Sequence, residues 1–115
     1  MVVGALRIEF RIHENDSLKG KRKIVRSMVD RVRHKFNVAV AEVGSNDKWQ
    51  VIELGVSTVS NDRRHVDSSL NNVLAFLESL YLAEIVHSEV EILNLGRENA
   101  RRPRSEERAR SEEWG

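Results

Sequence analysis

"VVGALRIEFRIH", residues 2–13, alternates along its whole length. Val2, Leu6, Ile8, Phe10 and Ile12, with Gly4 in phase, share one side; Val3, Ala5, Arg7, Glu9, Arg11 and His13 share the other. A side-chain period of two over such a run specifies a β-strand with one buried face. That apolar face needs a cover, and the segments that follow supply it.

"ENDS" (14–17) provides turn residues, with Ser17 as the N-cap of a helix. In "SLKGKRKIVRSMVDRVRHKF" (17–36) the residues Leu18, Ile24, Val25, Met28, Val29, Val32 and Phe36 fall within one arc of about 140°. They make the core stripe of a helix of about five turns. Gly20 in its first turn permits a close approach by another part of the chain, and Asn37 ends it.

Val38–Val43 and Trp49–Ser60 flank the turn cluster "GSNDK" and form a β-hairpin. Ile52, Leu54 and Val56 share one side of the second strand; Trp49, Val51, Glu53, Gly55 and Ser57 share the other. Ser60, Asn61 and Asp62 are candidate caps for a second helix. Val66, Leu70, Val73, Leu74, Leu77 and Tyr81 recur there at helical spacing to about residue 82. "IVHSEVEILNL" alternates again, Val86, Val90 and Ile92 against His87, Glu89 and Glu91.

The order is β-α-β-β-α-β. Two helices, each apolar on one stripe, cover one face of a four-stranded antiparallel sheet. This is the ferredoxin-like α+β arrangement, with strand order 4-1-3-2. It occupies residues 1–96. Residues 97–115 carry six arginines and five glutamates with almost no apolar side chain before Trp114. They are expected to be a charged tail, disordered or a short helix with Glu106 and Arg110 paired.

The 115 residues suffice for one domain that needs neither metal nor disulfide for stability. The absence of cysteine excludes disulfides, thiolate metal sites and cysteine nucleophiles. With neither a leader-like N-terminus nor a membrane-length apolar run, a cytoplasmic protein is expected, away from membranes. No cofactor motif is present, and no catalytic residue is assigned. His13 and His87, with Glu9, Glu89 and Glu91, are of metal-ligand type on neighbouring strands. Cross-strand ion pairing is the simpler account of them, and no metal site is expected. His34 and His65 read as surface residues.

Two surfaces stand out. Eight lysines and arginines lie in residues 17–36 against the single Asp30, so the segment carries +7 in a chain whose net charge is +1. Arg22, Arg26 and Arg33, with Lys19 and Lys23 beside them, form a ridge roughly 20 Å long next to the core stripe. Asp30 is placed to pair with Arg26 or Arg33. The ridge either meets an acidic partner, RNA above all, or is a solvated helix face opposed by glutamates elsewhere. The second surface is the sheet face turned from the helices, which carries Ala5, Ala39, Ala41, Trp49 (near the hairpin), Val51 and Gly55 as candidate interface residues, together with Val3, Val43, Ile85 and Leu93. Small apolar residues on a face that is normally polar suggest an oligomer interface, and with it the alternative of a homo-oligomeric module that binds a protein partner or a small ligand there and no nucleic acid. Otherwise the tail or the hairpin covers the face, or scattered apolar residues are tolerated there. Arg7, Glu9, Gly55 and Ser57 stand where a single-strand-reading sheet would carry stacking aromatics, which argues against that mode of RNA binding.

"RIEFRI", the segment 17–44, "WQVIELGVSTVSND" and "RHVD", in that order and spacing, resemble the YlxP-like family of small bacterial proteins over about residues 1–95. The resemblance implies a ferredoxin-like fold and no established enzymatic activity. The family's frequent encoding beside translation-initiation and ribosome-maturation genes implies ribosomal RNA or a ribosomal subunit as partner. It supplies no catalytic residues to carry over.

Overall fold

The computed structural model describes residues 1–96. The expected tail, 97–115, lies outside them. The elements are β1 (Val2–Arg11), α1 (Leu18–Lys35), β2 (Ala39–Gly44), β3 (Val51–Ser60), α2 (Arg63–Ser79) and β4 (Glu84–Asn94). The strands form one antiparallel sheet in the order β2-β3-β1-β4. This is the expected ferredoxin-like topology.

The alternation of β1 decides the core. Leu6, Ile8, Phe10 and Ile12 are buried together with Ile52, Leu54 and Val56 of β3. Both helices lie on that side. α2 contributes Val66, Leu70, Val73 and Leu77, each at most 1% exposed; a side chain buried this fully contributes about 1.5–3 kcal/mol. α2 also presses close to β1. A Cβ on Gly4 would sit 2.4 Å from Val66 Cγ1 and 2.8 Å from Leu70 Cδ1, so any larger residue would push the helix away. α1 buries Met28 and Val32, with Ile24, Val25, Val29 and Phe36 packed against the core.

Each helix starts on the expected kind of cap. Ser17 Oγ accepts from the Gly20 amide at 3.0 Å, and Asp62 Oδ1 from the Arg64 amide at 2.9 Å. Gly20 does permit a close approach, by the Asn15 side chain.

The structure departs from expectation at β4 and at the end of α2, and also at β3, which begins at Val51 and leaves Trp49 and Gln50 outside the strand. β4 carries a bulge: Glu9 pairs with His87, but Phe10 pairs with Ile85. The extra residue, Val86, drops out of register and is 45% exposed, while Ile85 packs against the core and leaves the open face. The second departure is Tyr81. α2 ends at Ser79, and Tyr81 takes a left-handed backbone with φ of 53°. Its side chain is consequently 89% exposed and lies outside the helical stripe.

Candidate nucleic-acid interface

All five residues of the basic ridge are exposed. Lys19, Arg22, Lys23, Arg26 and Arg33 come within 4.0 Å of no carboxylate among the described residues. Asp30 makes neither of the pairs expected of it. It lines, with Arg22, Arg26, Arg33, Val25, Val29 and Glu42 of β2, an open groove of about 400 Å³ between α1 and β2. Arg33 is anchored at that groove, its Nη2 donating to the carbonyl of Val40 on the edge strand at 3.2 Å.

Three other cations of the segment are engaged differently. Lys35 stands over the Phe76 ring, 5.0 Å from its centroid. Arg31 donates to Ser27 Oγ at 3.1 Å. Lys21 is 2% exposed. Its Nζ donates to the carbonyl of Lys48 at 2.7 Å and to that of Ser45, and lies 3.0 Å from Glu42 Oε2. That oxygen has no conventional hydrogen bond within the described residues, so the ammonium is its compensation. The group belongs to neither of the surfaces picked out by residue type. It could have been found on the helical wheel, where Lys21 falls in the middle of the apolar arc. A lysine there must bury its stem and find acceptors for its head, and the carbonyls of the β2–β3 loop provide them.

The sheet face is electrostatically the reverse of α1. Arg7 lies 3.6 Å from Glu9, 3.3 Å from Glu53 and 3.4 Å from Glu89. One guanidinium thus faces three carboxylates, and Glu91 stands on the same face, opposite Ala5. Ala5, Ala39, Ala41 and Gly55 do come together, with Val43 and Ser57, on the floor of a shallow trough of about 540 Å³. The space over Gly55 is taken by Val43 Cγ1, 2.7 Å from where its Cβ would be. Trp49 and Val51 are not part of the trough. They line a separate hollow of about 300 Å³ at the hairpin end, with Arg11 and Lys48.

The histidines are dispersed. His13 hydrogen-bonds through Nε2 with Glu84 Oε1 at 2.9 Å, and His87 Nε2 is 3.9 Å from Glu89. Among the described residues no three groups of ligand type converge as a metal site would require. No helix among them is long and apolar enough to cross a membrane.

Fold and surface together define a small ferredoxin-like domain with a basic helical side and an acidic, partly apolar sheet side. The chain belongs to the family described as "Protein of unknown function (DUF503)", whose pattern matches residues 3–90. It is 37% identical over 78 residues to "Uncharacterized protein YlxP" of Bacillus subtilis (strain 168), covering 68% of this chain and 85% of that protein. Among solved structures it aligns with a REP-associated tyrosine transposase bound to a REP hairpin, at a TM-score of 0.40 and 7% identity. That alignment covers 85% of this chain and 59% of the other.

Proposed function

We propose that this chain is a non-enzymatic, cytoplasmic factor that binds structured RNA through α1, with ribosomal RNA or a ribosomal subunit as its partner. The observation that carries the proposal is the ridge of Lys19, Arg22, Lys23, Arg26 and Arg33. Five exposed cations have no carboxylate within ion-pair distance among the described residues, on a helix whose apolar stripe is already committed to the core. Backbone contacts along a stem give affinity with little sequence preference. If about five phosphates are neutralised, log K falls against log salt with a slope of roughly −3.5 to −4.5. Changing Arg22, Arg26 and Arg33 together to glutamine flattens that slope by about two to three units. Binding that is absent at low salt, or unchanged in the triple variant, would falsify the proposal.

A second reading rests on the trough. Its alanine and glycine floor lets another flat surface approach, and a second copy of the chain is the occupant proposed. Ala41→Glu puts a charge into that contact while leaving the core alone, so it should turn an oligomer into a monomer by sedimentation. A wild type already monomeric at micromolar concentration removes this reading.

A further inference from the structure

The loop between β2 and β3 is held unusually firmly for an exposed hairpin tip. Asn15 Nδ2 donates to the carbonyl of Trp49 at 2.5 Å, Gln50 Nε2 to that of Asn15 at 3.2 Å, and the Ile12 amide to that of Gln50 at 2.9 Å. Lys21, from the first turns of α1, adds the bond to Lys48 described above. These bonds fix the backbone on both sides of Trp49 and leave its indole 50% exposed. The indole borders a hollow whose other side chains are Arg11, Asp47, Lys48, Gln50 and Val51. Because Lys21 and Asn15 join the loop to the start of α1, the end of the basic ridge nearest Trp49 carries Lys19, Arg22 and Lys23.

From this arrangement, and resting on the RNA reading of α1, we infer that Trp49 is a stacking platform for one unpaired nucleotide at the end of a duplex laid along the ridge. Phosphates leaving the ridge meet Lys48 and Arg11, and the first unpaired base lies on the indole. An exposed aromatic on a fixed backbone, beside Arg11 and Lys48, accepts any base, since every base has a π-face. The next nucleotides gain nothing. Beyond Arg11 the sheet face turns acidic, with Glu9, Glu53 and Glu89 sharing the single Arg7, and it repels a continuing strand. The site therefore takes a junction between paired and unpaired RNA.

The chain has two tryptophans, Trp49 and Trp114, so Trp114→Phe in the full-length protein leaves Trp49 as the only indole reporter. Its fluorescence and affinity are measured at low salt with a blunt RNA duplex, and with the same duplex carrying one or four unpaired nucleotides at one end. One unpaired nucleotide should quench Trp49 and tighten binding roughly tenfold, within the range measured for a single stacked base. Four should add no more than one does. Adding Trp49→Ala should erase the gain while keeping blunt-duplex affinity and its salt slope. Equal affinity for blunt and overhanging duplexes without quenching overturns the platform and leaves the ridge standing. Absence of binding to any of the three overturns both.

Discussion

The two helices occupy equivalent places in the fold and differ in almost every other respect. α2 is anchored by four apolar side chains, and its solvent side mixes Arg63 and Arg64 with Asp67, Glu78, serines and asparagines. α1 buries two apolar residues and a lysine, and its solvent side is almost entirely cationic. α2 demonstrates what covering this sheet requires: an apolar stripe, a cap and a roughly neutral exterior. Packing therefore accounts for Lys21 and Lys35 but not for the exposed cations of the α1 ridge. The difference between them separates what belongs to the fold from what is available for a partner.

The two helices differ most in what Lys21 does for α1. Lys21→Met removes two hydrogen bonds and leaves the Glu42 carboxylate, 20% exposed, without its counter-charge. Breaking a largely buried pair from one side costs about 3 kcal/mol, and thermal unfolding should show a melting temperature lower by roughly 10–20 °C. Adding Glu42→Leu should recover most of the loss, because no unpaired charge then remains. If the single variant melts like the wild type, α1 is anchored by apolar packing as α2 is.

A salt titration distinguishes the surfaces of the two helices. Arg63→Gln with Arg64→Gln on α2 should alter the salt slope of RNA binding by less than about half a unit, against two to three for the triple change on α1. Equal slopes would make the whole surface, and not one helix, responsible for binding. The smallest effect is expected where the helices agree. Ser17→Ala and Asp62→Ala each remove a capping bond worth about 1 kcal/mol, and equal shifts in denaturant midpoint are expected from the two. A much larger loss at Ser17 would show that the junction of α1 with the hairpin, and not the cap, depends on it.

The fold was legible in the sequence because its signals are periodic. The alternation of residues 2–13 and the two apolar helical stripes leave one economical arrangement. Alternation alone misplaces Ile85 and Val86, because a bulge slips a period of two by one residue and nothing in the residue types marks where the slip occurs. Tyr81 sits at helical spacing, but the chain leaves the helix before reaching it. Residue type also hid Lys21, which counts as one more cation until its angular position is considered. The ridge was visible as a cluster; its freedom from Asp30 was not, since that depends on rotamers and not on spacing. Trp49 and Val51 share strand parity with Gly55, yet the loop bonds hold Trp49 at the hairpin end and away from the trough.

β1 and β4 neighbour each other in the sheet, Val2 opposite Asn94, and the backbone of Leu95 bonds back to Met1 at 2.7 Å. Contacts this distant along the chain slow folding, because the intervening loop must close before any of them forms. Synthesis at about 5–20 residues per second leaves a lag of roughly 4–16 s between the emergence of β1 and that of β4. Until then the central strand of the sheet has one bare edge, and a bare apolar strand is an invitation to pair with the wrong chain. Arg7, Glu9 and Arg11 put alternating charge along the same strand, in a pattern that a second copy aligned in register and parallel would set like against like. The residues that line the finished sheet's solvent face thus guard the unfinished one.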